Sequence, residues 1–287
     1  MPQKPANDLG HPRAGLQRIE RGSASLRRPE VSHVIFDFDG TLSWLRHGWP
    51  RIMLEGFLRH APVHWQDDRR LADDLLADIL SLNGKPSIHQ MRSFAERLER
   101  VEGLVVDPER LLAEYQEHLQ QTIAKRRAAI ERGPSGDAFV VHGARGLLER
   151  LRARGVALII LSGTVQEEVR AEAGLLGLQP FFGEHIYGSG QGTGFSKQKV
   201  IEQLMREEHI ESHRLLSFGD GPVEIQVTKA VGGLAIGVAS DEEQNGSHQC
   251  DPYKREQLLR AGADAMIPDY AEAEGLVLEI FGHEKPF

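Results

Sequence analysis

Two aspartates alternate directly after a short apolar run, in the segment Asp37-Phe38-Asp39-Gly40-Thr41. The preceding run, residues 33–36, is typical of a buried strand, and Gly40 permits a tight turn after it. Carboxylates at alternate strand positions point to the same side, where their charges repel unless a cation or a shared proton is present. Magnesium, which prefers carboxylate oxygens, would relieve this repulsion, although Asp-Gly is also a common turn dipeptide.

Side chains suited to an anion follow further along the chain. The apolar run 156–161 ends at Ser162-Gly163, and a helix N-terminus after it would suit a phosphate, although serine is also a frequent N-cap. Lys197 begins a predicted helix, where a positive charge opposes the helix dipole, so we expect a functional reason for it. Lys199, in the same first turn, is the alternative lysine.

Two further acids follow downstream, in Gly219-Asp220-Gly221 and at Glu224. The order of all these segments along the chain resembles the order of the motifs of the haloacid dehalogenase superfamily. The resemblance covers residues 31–43 and 139 to about 240. It implies that Asp37 is the nucleophile that becomes an aspartyl phosphate and that Asp39 is the acid/base partner. An acid at position 39 matches the phosphatases and mutases of the superfamily, whereas dehalogenases lack one there.

The resemblance also implies roles for the other residues. Ser162, Gly163 and the loop that ends at Thr41 would hold the phosphoryl oxygens, and Lys197 would neutralise their charge.

A magnesium site is implied as well. Its ligands would be the Asp37 side chain, the Asp39 backbone carbonyl and Asp220, with Glu224 reaching a metal-bound water through its longer arm. The alternative for Glu224 is an exposed first-turn acid that complements the helix dipole.

The expected activity is the magnesium-dependent hydrolysis of a small phosphate monoester, such as a sugar or polyol phosphate. A sugar phosphomutase shares the same chemistry but passes the phosphoryl group to a sugar instead of water. A non-catalytic module that binds a phosphorylated metabolite is the alternative from a different class.

The elements that must position these residues form an α/β pattern. Apolar runs at 33–36, 156–161, 215–218 and 234–238 alternate with helical patterns. Near-continuous apolarity predicts strands that are covered on both faces, hence an open, doubly wound parallel sheet. Ligands bind beyond the carboxyl ends of strands in such sheets, and Asp37, Ser162 and Asp220 all fall at such ends.

Residues 46–140 break the alternation and predict helices only, which resembles a cap domain inserted after the first strand. Residues 31–45 and 141–287 form the predicted core, and residues 1–30 a mobile basic tail. Lys85, in Gly84-Lys85-Pro86 between two cap helices, resembles the substrate-specificity loop of such caps. An exposed turn lysine is the alternative.

Composition narrows the classes of function. The chain has 287 residues and a formal net charge of -8, which disfavours nucleic acid as a partner. Cys250 is the only cysteine, so an intramolecular disulfide is excluded and the cytoplasm is the expected compartment. No apolar run has the length of a membrane span. We therefore expect a small phosphorylated metabolite as the partner, and the oligomeric state stays open.

Overall fold

A mixed but almost entirely parallel sheet forms the centre of the molecule. The computed structural model describes residues 17–18, 25–82, 86–133, 136–190 and 195–282. The strands are β1 (Gln17–Arg18), β2 (His33–Phe36), β3 (Ala157–Val165), β4 (Ile186–Ser189), β5 (Leu215–Gly219), β6 (Leu234–Val238) and β7 (Ala265–Ile267). Their order is β1-β7-β6-β5-β2-β3-β4. Strands β2 to β7 are parallel, and β1 pairs antiparallel with β7. The predicted doubly wound parallel sheet is confirmed.

The helices fall into two groups. Between β2 and β3 lie α1 (Trp49–His60), α2 (Val63–Gln66), α3 (Arg69–Ser81), α4 (Ile88–Glu102) and α5 (Pro108–Arg132). The remaining helices are α6 (Ala144–Ala153), α7 (Gln166–Leu175), α8 (Gln179–Phe182), α9 (Lys197–Glu207), α10 (Pro222–Ala230), α11 (Pro252–Ala261) and α12 (Ala273–Phe281). None of the helices in the described ranges has the length and apolarity needed to cross a membrane.

Strand β2 lies in the middle of the sheet. Its Phe36 aligns with Ile160 of β3 and Phe218 of β5, and the rings of Phe36 and Phe218 stack with centroids 5.0 Å apart. One face of the sheet packs against α6 and α12, the other against α9. Burial on both faces explains the continuous apolar runs, and it holds the carboxyl ends of β2, β3 and β5 in fixed register at one edge.

The inserted helices α1 to α5 form a cap with a hydrophobic core of its own. Met53, Phe57, Phe94 and Leu98 are buried there, and the rings of Phe57 and Phe94 stack at 4.2 Å. The longer helices α1, α3, α4 and α5 each contribute an apolar stripe, and α2 contributes Trp65. The all-helical insertion is confirmed, whereas its boundaries at residues 46 and 140 stay a prediction.

Strand β3 is longer than its apolar run predicts. Instead of ending at Leu161, it continues through Ser162 to Val165, and its register with β4 shifts between Leu161 and Val165. Such a shift inserts extra residues on one strand and redirects side chains locally. Ser162 therefore lies in an irregular stretch of strand rather than after the strand has ended.

The segment before the first core strand is partly described. Arg18 of β1 aligns with Ala265, and Leu26 is buried in the core. The amide of Arg28 donates to the carbonyl of Ile280 at 2.6 Å. Most of residues 1–24 lies outside the described part, so the assignment of residues 1–30 as a mobile tail stays a prediction.

Candidate active site

A cleft of about 820 Å³ lies where the carboxyl ends of β2, β3 and β5 face the cap. Most of the residues singled out in the sequence line it. They are Asp37, Asp39, Ser162, Gly163, Lys197, Asp220 and Glu224. Strands that meet at one sheet edge bring together residues almost 190 positions apart in the chain, as expected for parallel sheets.

Asp37 follows the last residue of β2 and is 9% exposed. Its Oδ1 accepts a hydrogen bond from the amide of Phe38 at 2.8 Å and lies 2.9 Å from Nζ of Lys197. Burial raises the pKa of the Asp37 carboxyl well above its usual range, against the opposing charge of Lys197. Glu224 and Asp220 add to the rise, so the three carboxylates share one electrostatic site.

Lys197 is the first residue of α9, after the N-cap Ser196. Its ammonium bridges Asp37 and Glu224. Burial would lower the pKa of Lys197, but these two carboxylates outweigh it and raise the pKa above its usual range. Lys199 is exposed to solvent. The structure thus brings Lys197, not Lys199, to the cleft.

Glu224 lies in the first turn of α10, yet it is not the exposed acid that a dipole-complementing role would require. Its side chain is only 12% exposed and pairs with Lys197. Burial would raise the pKa of Glu224, but Lys197 outweighs burial and lowers it. A side chain at Gly219 or Gly221 would collide with Glu224, which explains the glycines on both sides of Asp220.

Both carboxylate oxygens of Asp39 have partners. Oδ2 accepts from the hydroxyl of Thr164 at 2.8 Å, and Oδ1 lies 3.1 Å from Nη1 of Arg46. Arg46 also contacts Glu172 at 2.5 Å and Glu168 at 3.2 Å. Burial would lower the pKa of Arg46, but its carboxylate neighbours raise it. Asp39 is therefore held in one orientation from two sides.

Ser162 and Gly163 lie on the β3 side of the cleft. The Ser162 hydroxyl accepts from the amide of Thr164 at 3.0 Å, and its side chain is almost fully buried. Thr41 differs from the expectation. It is fully buried and does not line the cleft, and its hydroxyl has no hydrogen-bond partner within the described residues. Gly40, with φ of 72°, makes the turn directly before Thr41. The role expected for the loop that ends at Thr41 stays a prediction.

Asp220 follows β5, and its side chain is 15% exposed. Its Oδ2 lies 3.0 Å from Nζ of Lys254, which also contacts Glu242 at 2.6 Å. Burial raises the pKa of Asp220 to about 6, against the opposing effect of Lys254. A side chain at Gly40 would collide with the Asp220 carboxylate, so the two loops approach as closely as a glycine allows.

The chemistry of the donor set fits a divalent cation. Among the described residues, no group of three or more His, Cys, Asp or Glu side chains is gathered in a metal-holding arrangement. Two carboxylates, Asp37 and Asp220, with a backbone carbonyl are nevertheless a sufficient set for magnesium, which keeps several waters. The carboxylates of Asp37, Asp220, Glu224 and Glu242 face two ammonium groups, which leaves two negative charges for a divalent cation to balance.

The cap side of the cleft combines aromatic and hydroxyl side chains with Arg46 and His47. Trp44, Trp49, Tyr115 and Ser87 line it. Trp44 belongs to the connection between β2 and α1, where its indole donates to a carbonyl of the loop after β6 at 2.9 Å. Lys85, the other residue predicted on this side, lies outside the described residues.

Sequence reasoning missed Arg46, Thr164, Glu242 and Lys254. One signal was available, because Lys254 stands in the first turn of α11, where a positive charge opposes the helix dipole as it does at Lys197. The other three carry no local signal, since only the fold brings them to the cleft.

A model of the haloacid dehalogenase-like hydrolase family matches residues 31–232, more than half of the chain. No curated protein matches the sequence significantly. The match spans all of the motif residues described above.

Solved structures share the fold. A protein from Haemophilus somnus 129PT, described as a predicted phosphoglycolate phosphatase, is 12% identical with a TM-score of 0.55, over 86% of this chain and 98% of that one. A HAD family hydrolase from Deinococcus radiodurans R1 with bound phosphate and sodium is 19% identical with a TM-score of 0.56, over 88% and 96%. A candidate β-phosphoglucomutase from Thermotoga maritima is 17% identical with a TM-score of 0.51, over 86% and 97%. Identities this low show a common fold alone.

Proposed function

The chain belongs to the haloacid dehalogenase-like hydrolases, and we propose that it is a magnesium-dependent phosphatase that hydrolyses a small phosphate monoester with Asp37 as nucleophile. One observation carries the proposal: the ammonium of Lys197 lies 2.9 Å from Asp37 Oδ1 at the end of the central strand, inside the cleft that Asp39 also lines. A carboxylate and a cation placed together in a cleft suit attack on a phosphate whose charge needs neutralising.

In the first step, a carboxylate oxygen of Asp37 attacks phosphorus while the bond between phosphorus and the leaving oxygen breaks. Asp39 acts as the general acid and gives its proton to that leaving oxygen. Lys197 and the Ser162 hydroxyl hold the equatorial phosphoryl oxygens. Asp37, Asp220 and the backbone carbonyl of Asp39 would hold a magnesium ion, which would neutralise charge on these oxygens and on Asp37.

In the second step, water attacks the phosphorus of the aspartyl phosphate. Asp39, now ionised, takes the proton from that water, and the bond between phosphorus and the Asp37 oxygen breaks. The Asp37 carboxylate is restored and phosphate is released. Thr164 and Arg46 keep Asp39 in the orientation needed for both proton transfers. The cap over the cleft limits access of bulk water to the reacting atoms.

The cap side of the cleft favours an uncharged leaving group, such as a sugar or polyol, because Arg46 in its lining already pairs with three carboxylates. Beyond the charged cluster, the cap side offers the rings of Trp44, Trp49 and Tyr115 and the hydroxyl of Ser87. Aromatic faces and hydroxyl groups suit the carbon skeleton and hydroxyls of a polyol.

Hydrolysis of p-nitrophenyl phosphate by the purified protein tests the proposal. We expect activity that requires magnesium, stops on addition of EDTA and falls to background in Asp37→Asn. Lys197→Met should lose roughly 10²- to 10³-fold in kcat, as expected for the loss of a charge-stabilising donor. Lys199→Met, an exposed lysine of the same helix turn, serves as the matched control and should retain full activity.

Two results would contradict parts of the proposal. If Asp37→Asn retained activity, the nucleophile assignment would be wrong, and if no phosphate monoester were hydrolysed, a binding module would replace the phosphatase. A screen of phosphorylated metabolites distinguishes a phosphatase, which releases phosphate, from a phosphomutase, which forms an isomer of its substrate.

A further inference from the structure

Lys254, in the first turn of α11, is a buried lysine that the phosphatase mechanism does not use. Its side chain is 2% exposed. The ammonium lies 3.0 Å from Asp220 Oδ2 and 2.6 Å from Glu242 Oε1, and it donates to Ser240 Oγ at 3.0 Å. An ammonium has three protons, so these contacts satisfy all of them. A lysine is buried at high cost unless each proton finds such a partner.

The three partners belong to different parts of the site. Asp220 is the proposed cation ligand. The Ser240 hydroxyl donates to the carbonyl of Gly40, in the loop of the proposed nucleophile, at 2.5 Å. The other carboxylate oxygen of Glu242 accepts from the amide of Gly48, directly before the first cap helix, at 2.9 Å. One ammonium therefore joins the cation ligand, the nucleophile loop and the start of the cap.

We infer that Lys254 is a positioning residue that fixes the rotation of the Asp220 carboxylate for the divalent cation, an inference that rests on the proposed function. The ion pair occupies Oδ2 of Asp220 and leaves Oδ1 as the oxygen for the cation. Groups that bond to a metal-binding carboxylate orient it, and their removal typically lowers metal affinity about 10- to 100-fold.

A purely electrostatic effect of Lys254 on cation binding predicts a different result from a positioning role, so the two can be distinguished by experiment. Lys254→Met removes a positive charge next to the cation site, so pure electrostatics would tighten cation binding. The double variant Glu242→Gln/Lys254→Met removes one charge of each sign and keeps the net charge of the cluster. A positioning role predicts weaker binding in both variants, whereas a charge effect predicts tighter binding in the first and unchanged binding in the second.

Binding of Mn²⁺ to the metal-free protein, measured by electron paramagnetic resonance of the free ion, separates these cases without relying on turnover. We expect the dissociation constant to rise about 10- to 100-fold in both variants. Glu243→Gln, which alters an exposed pair with Arg51 one residue away from Glu242, is the control and should bind as the wild type does. Circular dichroism establishes that each variant is folded.

If Lys254→Met does not fold, the double variant decides, since it leaves no unpaired charge at position 242. Binding of Mn²⁺ by the double variant within about threefold of the wild-type affinity would overturn the inference.

The variant Asp220→Asn distinguishes failure of this inference from failure of the proposed function. If the wild type binds Mn²⁺ and Asp220→Asn does not, only the role of Lys254 is at stake. If the wild type itself neither binds Mn²⁺ nor hydrolyses phosphate esters, both the phosphatase proposal and this inference are wrong.

Discussion

Glu172 offers the most direct test of how the cap is tied to the site. This carboxylate, on α7 of the core, is fully buried. It lies 2.5 Å from Arg46, which contacts Asp39, and 2.5 Å from Arg127 of cap helix α5. Glu172→Gln keeps the shape of the side chain but removes the charge that both guanidinium groups share. We expect it to weaken both the folded state and the orientation of Asp39.

The expected loss of stability in Glu172→Gln depends on how far the partners of Glu172 are exposed to solvent. Breaking a fully buried ion pair costs about 3–5 kcal/mol. Here glutamine retains one acceptor, the Arg46 side chain keeps two other carboxylate partners, and the Arg127 side chain is 34% exposed to solvent. We therefore expect a loss of about 2–3 kcal/mol in the free energy of unfolding.

Urea denaturation followed by circular dichroism measures this loss. Glu168→Gln is the matched control, because Glu168 contacts the same Arg46 at 3.2 Å but is 42% exposed. It should cost no more than about 1 kcal/mol. In the hydrolysis assay, Glu172→Gln should lower kcat roughly 10- to 100-fold, because a small displacement of Arg46 misplaces Asp39.

Equal destabilisation by the two variants would refute this reasoning. It would mean that the fully buried position of Glu172 contributes nothing beyond an ordinary surface ion pair. A loss of stability without any change in kcat would leave Glu172 as a purely structural tie between the cap and the core, and Arg46 would then orient Asp39 without it.

Two further predictions concern the cation site. Gly40→Ala should reduce activity about 100-fold or more and weaken Mn²⁺ binding. The φ of 72° at Gly40 disfavours alanine, and the added Cβ would collide with the Asp220 carboxylate. Wild-type kinetics in this variant would contradict the close approach of the two loops. Protons should compete with the cation at Asp220, whose pKa is raised to about 6. Protons also compete at Asp37, whose pKa is raised by burial. Titration of Mn²⁺ binding should therefore show affinity falling at least about tenfold per pH unit below about pH 6, and a flat profile between pH 6 and pH 4 would contradict it.

Much of the sheet could be predicted from sequence because its central strands are buried on both faces. Strand β2 has the bounds of its predicted apolar run. Cap helix α5 begins after Asp107, whose side chain accepts from the amide of Glu109 at 3.0 Å as an N-cap. The strands β4 and β7 were not predicted. They are short, and β4 contains Gly188, so their apolar signal is weak and their pairing depends on distant residues.

The same division applies to the site. Asp37, Ser162 and Asp220 could be located because each follows a strong apolar run, and strand ends of a parallel sheet converge. Arg46 and Glu242 could not be located, since both lie in connections whose path depends on how the cap packs against the core. The buried position of Thr41 likewise follows from the three-dimensional course of its turn, which the motif does not specify.

The loop at residues 240–245 explains how cap and cation site are connected physically. Both chain connections between core and cap form hydrogen bonds with this loop. In the first connection, the indole of Trp44 donates to a backbone carbonyl of the loop at 2.9 Å, and the amide of Gly48 donates to a carboxylate of the loop at 2.9 Å. In the second connection, the carbonyl of Val140 accepts from the asparagine side chain of the loop at 2.8 Å. A rotation of the cap must either carry this loop along or break these bonds. A carboxylate of this loop also pairs with Lys254, so a rotation of the cap would alter the contact of Lys254 with Asp220. By the same coupling, binding of the cation would favour one position of the cap.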